Sequence, residues 1–172
     1  MGIEFERDIS WHRMSFLTKR IDLGAENGFT EFREQSQKLI GEPIKRMSTL
    51  TERLMQSIDY RKVAKKRRKN FHYLHSVLKT TNYFDVEIDN DTIPMIYPYV
   101  TDNKMLRNHL IQNKIFIAKY WPNVLEWSSP LSDESKISEQ LLPLPIDQRN
   151  NKRSMFHIIQ VIKNEYINSS TH

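Results

Sequence analysis

Along the first half of the chain, apolar side chains recur mostly at helical intervals. Trp11, Met14, Phe16, Leu17 and Ile21 are spaced as one face of a helix that ends near Gly24. Gly24 to Gly28 reads as a turn. Thr30 is placed to cap a second helix from Glu31 to Ile40, with Phe29 and Phe32 as its apolar contacts and Gly41 closing it. Pro43 then imposes an extended step. Ser48 with Thr51 or Glu52 resembles a capping arrangement, and Leu50, Leu54 and Ile58 continue the stripe. The helical period persists through Tyr60, Val63, Ala64, Phe71, Leu74, Val77 and Leu78, with a break expected at Ile58-Asp59 if two helices are present.

The second half has a different rhythm. Asn82 and the Asp89-Asn90-Asp91 cluster mark loops. Ile93 to Val100 is β-rich, and its two prolines confine it to an edge or an interrupted strand. Lys104 to Gln112 predicts a short helix, Ile115 to Ala118 a buried strand, and Trp121 to Pro130 a loop. Ser154 to Ile167 predicts an amphipathic terminal helix through Met155, Ile158, Ile159, Ile162 and Tyr166. The expected fold class is α+β: a helical N-terminal third, then a small sheet with helices packed on one face. The expected domains are a helical segment 1–42, a long connecting helical region 43–79, and an α+β C-terminal small domain 80–172.

Composition narrows the chemistry. The 172 residues are 38% hydrophobic and 27% charged, as in a globular protein able to bury about 70% of its unfolded surface. With no cysteine, disulfides, thiolate zinc sites and cysteine nucleophiles are excluded. No apolar run approaches the ~18 residues that span a bilayer. The first residues carry Glu4, Glu6 and Asp8 rather than a signal-peptide core, so a cytoplasmic location and no membrane contact are expected.

The run Leu142-Pro143-Leu144-Pro145-Ile146-Asp147-Gln148-Arg149 resembles the signature near the C-terminus of the DegT/DnrJ/EryC1/StrS sugar aminotransferases. Other stretches resemble the same family in the same order. Lys45 to Ser48 resembles the return of the chain from the large domain. Arg67-Arg68-Lys69-Asn70-Phe71-His72-Tyr73-Leu74 resembles the entry to a long helix. Ile93 to Pro98 is similar to the first small-domain strand, and Asn113 to Ile117 with Tyr120-Trp121-Pro122 to the strand and loop approaching the sugar. The chain departs from the pattern at Asn150, where members commonly carry tyrosine, and at Lys119, where many carry histidine.

The resemblance implies the small domain of a fold-type I transferase that depends on pyridoxal phosphate (PLP) and aminates a nucleotide sugar for amino-sugar or surface-polysaccharide biosynthesis. It also implies a dimer, or a large-domain partner chain. PLP chemistry needs a Schiff-base lysine, an acidic partner for the pyridinium and a phosphate cradle, and the family keeps these in a large domain. No lysine here sits in a context resembling the family's Schiff-base motif. With four glycines in the chain, nothing reads as a phosphate loop. The expectation is therefore no catalytic residue, no cofactor bound by this chain alone, no metal, and no activity in isolation.

The tail's expected contribution is a substrate wall. Lys119, Tyr120, Trp121 and Asn123 follow the buried strand on a loop, where a lysine can pair with a diphosphate and an aromatic ring can stack. Packing on the small domain is the preferred role for Trp121 and Trp127. Arg149 can hold an anionic substrate group, but the preferred role is structural, with Asp147 capping the last helix or pairing with Arg149.

The basic run Arg61 to Lys69 offers an alternative, a helical module for nucleic acid. Its charges spread around a helix, and a solvated face is preferred. His72 and His75 share a helical face without further metal ligands, so packing or exposure is preferred there. A third reading is an assembly module whose helices over residues 11 to 40 dock a partner or a second copy.

Overall fold

Residues 4–169 are described in a computed structural model, and the chain divides into two compact units, Met1–Asp59 and Tyr60–His172. In the first unit, α1 (Ser15–Leu23) and α2 (Phe29–Gln37) flank a tight turn, and α3 (Thr49–Gln56) follows. Gly24 holds the exit of α1 at φ +93, a region that side chains with a Cβ rarely adopt. Gly28 is required for space: a Cβ there would lie 2.6 Å from the Phe16 carbonyl oxygen. Ser48 caps α3 as expected, its Oγ accepting the Thr51 N–H at 3.1 Å. Asp8 N–H donates to the Arg46 carbonyl and Arg46 N–H to the Glu6 carbonyl, joining the two extended stretches at an isolated bridge.

Polar contacts hold this unit. Arg7 pairs with Glu52 and Lys19 with Glu31, both at 2.8 Å, and Arg13 pairs with Asp8. The Ser10 and Ser48 hydroxyls meet at 2.5 Å and are buried. Among its described residues no apolar side chain is buried: Trp11 is 71% exposed and Ile21 82%. The helices fall near where periodicity placed them, except that α2 starts at Phe29, with Thr30 inside it rather than capping it, and their apolar stripes are left largely uncovered within the unit.

The second unit contains the core. The chain breaks before Tyr60, as Ile58-Asp59 suggested, and α4 (Tyr60–Leu78) buries Phe71, Leu74 and Leu78 on one face. The terminal helix α8 (Lys152–Ser169) buries Met155, Ile158, Ile159 and Ile162. Between them lie β1 (Ile96–Val100), α5 (Leu106–Gln112), α6 (Val124–Trp127), α7 (Asp133–Gln140) and β2 (Leu141–Pro145). Tyr97 and Tyr99 stand opposite Leu144 and Leu142, and all four join the α4, α5 and α8 faces in one core. Burying each such side chain stabilises the fold by about 1.5–3 kcal/mol. The Tyr99 hydroxyl donates to Thr81 Oγ1 at 3.0 Å and meets the Tyr166 hydroxyl at 3.0 Å. Burial pushes its pKa up from the usual tyrosine value.

The architecture is α+β with a two-stranded antiparallel sheet. The strand expected at Ile115 to Ala118 is not among the described strands. Ile115 and Ile117 are buried and Phe116 is exposed, as a half-buried strand would have them, but the segment pairs with neither strand.

The pattern of prolines supplies the reason. Asn82 Oδ1 accepts the Val100 N–H and the Val100 carbonyl accepts from Tyr83, so Val100 faces away from β2. With period two, Ile96 and Pro98 face the same way, and so do their partners Pro145, Pro143 and Leu141 across the ladder. Three of these six outward positions are prolines and offer no donor. The Leu141 carbonyl is taken by Arg107 Nη2 at 2.9 Å, while Arg107 Nη1 donates to the Ala118 carbonyl at 3.1 Å. A guanidinium thus links segment 115–118 to β2 where a ladder cannot form. Among the described residues no helix is long and apolar enough to cross a membrane.

Candidate functional site

The run Leu142 to Arg149 leaves β2 and turns toward α8 through a hydrogen-bonded loop. Asp147 Oδ1 accepts from Arg149 N–H at 3.0 Å and Nε at 2.8 Å, and Oδ2 accepts from Arg149 Nη2 at 3.1 Å. Asn150 Nδ2 adds a fourth donor at 3.2 Å. The Arg149 side chain, through this bond, holds the Asp147 carboxyl below its usual range, and in return the Arg149 pKa is raised. Arg149 is therefore engaged by Asp147, while its side chain remains largely exposed. Asp147 does not cap α8. Asn151 does, its Oδ1 accepting Ser154 N–H at 3.1 Å while Ser154 Oγ accepts Asn151 N–H at 3.3 Å. The sequence signal for that cap is Asn-x-x-Ser, which reasoning from the carboxylate passed over.

A second element fixes the loop. Asn70 on α4 is 3% exposed, and its Nδ2 donates to the carbonyls of Ile146, Asp147 and Asn150 at 3.1, 3.2 and 3.2 Å. One amide thus holds three backbone acceptors 76 to 80 residues away in sequence. One turn earlier, Arg67 donates to the carbonyls of Pro94 and Met95, and Arg68 to that of Asn90 at 2.8 Å. In the sequence Asn70 stands only as one residue of the Arg67 to Leu74 stretch, with nothing local to mark this role.

The loop 119–123 holds the other candidates. Trp121 sits at φ +49, a left-handed conformation that a bulky side chain adopts at a cost. The buried Ser138 of α7 donates to the Tyr120 and Trp121 carbonyls, both at 3.2 Å, and Val124 N–H donates to the Trp121 carbonyl at 2.9 Å. The Tyr120 and Trp121 rings meet at 5.5 Å, with Tyr120 half-buried and Trp121 and Trp127 exposed. Asn123 is half-buried, and its carbonyl accepts from Glu126 and Trp127 at the start of α6.

Lys119 is exposed and lines a cavity of about 330 Å³ with Thr101, Lys104, Arg107 and Gln140. Asp102 and Glu139 lie on the same wall. Burial lowers the Arg107 pKa. Tyr120, Trp121, Asn123 and Arg149 are not among the residues lining this cavity, so the structure pairs Lys119 with Arg107 and Lys104 instead. The signal for Arg107 was a basic residue inside an otherwise apolar-faced short helix.

His75 stacks on Phe71 with centroids 5.8 Å apart, and its Nδ1 lies 3.4 Å from the Tyr97 hydroxyl, whereas His72 is exposed. Among the described residues no group of three His, Asp or Glu side chains is placed to hold a metal. Compared with protein-family models, curated proteins and solved structures, the chain matches none.

Proposed function

We propose that this chain is the small C-terminal domain of a PLP-dependent nucleotide-sugar aminotransferase of fold type I. It acts as one wall of a substrate pocket that a cofactor-bearing large domain completes. The observation that carries this reading is the convergence of motifs. The stretch containing Arg67 and Asn70 grips both the Pro94-Met95 stretch and the Ile146-Asp147 signature loop. Segments that resemble one family in order therefore also touch.

The residues present do not fit the cofactor. A Schiff-base lysine requires a sheltered amine of lowered pKa, and every described lysine is exposed or half-buried. No chemical step is therefore assigned to this chain. Lys119 is the group we assign to a sugar-nucleotide diphosphate, since both Arg107 Nη atoms are held by the Ala118 and Leu141 carbonyls, with the rings of the 120–121 turn nearby in sequence.

The test has two arms. Incubated with PLP alone, the chain gives no lysine-dependent visible absorbance and no mass increase after borohydride reduction. Added to a separately produced large domain of such an aminotransferase, it restores amination of a keto nucleotide sugar. An aldimine on this chain alone, or no gain of activity on mixing, overturns the proposal.

The assembly reading draws on a separate observation, the uncovered apolar side chains of the first unit. It predicts a molar mass above one chain in sedimentation at high concentration; a monomer throughout removes it. The nucleic-acid reading is weakened because Arg67 and Arg68 are spent on loop carbonyls.

A further inference from the structure

On α4, Lys66, Lys69 and Tyr73 follow one another at i, i+3 and i+7 and so share a helical face. With Asn70, and with Lys152 and Met155 from the first turn of α8, they line a cavity of about 320 Å³. Three lysine side chains therefore line one concavity, and no carboxylate lines it among the described residues. Neither Lys66 nor Lys69 has a carboxylate partner among the described residues, and the Lys152 ammonium lies over the Tyr73 ring at 5.8 Å. Like charges gathered in this way repel one another unless an anion joins them.

We infer that this cavity binds a phosphate group, either free phosphate or the phosphate of a small ester. The amino end of the 18-residue α8, where Lys152 and Met155 sit, adds partial positive charge to the three lysines. The floor is rigid: Met155 and Asn70 are buried, and Asn70 is anchored on three carbonyls. A concave, local site is favoured over an extended polyanion track. The run Arg61 to Lys69 spends Arg67 and Arg68 on loop carbonyls, which leaves no continuous row of free charge along the helix. The inference is independent of the aminotransferase reading, since the cavity does not include Lys119, Arg107 or the 119–123 loop.

The test is an amide NMR titration of the full chain at ionic strength fixed with chloride. The probes are inorganic phosphate, a nucleoside monophosphate and a single-stranded oligonucleotide. Phosphate should move the amides of Lys66, Lys69, Tyr73, Lys152 and Met155 along one saturable curve. Equal affinity for the monophosphate assigns the site to a free phosphate group, and tighter binding assigns it to an ester. Lys69→Gln and Lys152→Gln should each weaken phosphate binding by about fivefold, and Lys69→Arg should restore it. Lys136→Gln, outside the cavity, should change nothing. Non-saturating or scattered shifts, or affinity unchanged in Lys69→Gln, would overturn the inference. So would tighter oligonucleotide binding mapped along Arg61 and Lys65 rather than the cavity.

Discussion

Asn70 shows how one buried amide can order a loop far away in sequence. Replacing it with alanine leaves three carbonyls short of a donor inside a packed region. Asn70→Ala should therefore destabilise the second unit by about 2 kcal/mol, read as a lower midpoint in urea unfolding. Asp147 is a milder case because Arg149 remains exposed. Its folded pKa lies below the usual 3.8, so its contribution is fully present above that value and is lost as pH falls through the folded pKa. Asp147→Asn should cost about 1 kcal/mol at neutral pH, and the gap to wild type should close in acid below pH 3.8. Ser138 holds the Tyr120 and Trp121 carbonyls, so Ser138→Ala should speed tryptic cleavage after Lys119. At this scale the pairing of Asp147 with Arg149 was legible, because turn chemistry is local. Asn70, Ser138 and Arg107 were not legible, because each bonds to backbone of a segment outside its own element.

For whole elements, amphipathic period found α1 to α5 and α8 but not α6, which lies inside the expected loop 121–130, nor α7, and it did not tell what the helices bury. The stripe on α4 and the stripe on α3 read alike in sequence. Leu74 is fully buried and Leu54 is substantially exposed. Leu74→Ala should cost about 3 kcal/mol, and Leu54→Ala about 0.5 kcal/mol or less, as measured by chemical denaturation of the full chain. The segment 115–118 failed differently. It was expected as a buried strand, yet only Ile115 and Ile117 are buried, and a strand also needs a neighbour with donors, whereas the outward positions of β2 include Pro143 and Pro145. Hydrophobic pattern encodes burial, whereas pairing depends on residues a distant segment contributes.

At the scale of the molecule, the two units differ in what holds them. One rests on ion pairs and a buried serine pair, the other on a continuous apolar core. Hydrogen exchange should separate them. Amides in the core-facing turns of α4 and α8 should exchange only by global unfolding, and those of α1 to α3 by cheaper local opening. Equal protection in both would show that the apolar side chains of the first unit are covered in solution. The α+β class was legible because it follows from the order of helical and β-rich stretches. The two-strand limit of the sheet was not, since it depends on where prolines fall relative to a ladder register that sequence alone does not supply.

That register has a consequence for crowded solutions. A molecule with bare apolar helices will meet copies of itself, and the hazardous outcome of such encounters is templated stacking of strands into fibres. Here, apart from Ile96, the rim positions that a foreign strand would need are prolines or carry backbone groups taken by Asn82, Tyr83 and Arg107. Clumping through the helices would therefore find little purchase on this sheet for growth by added strands.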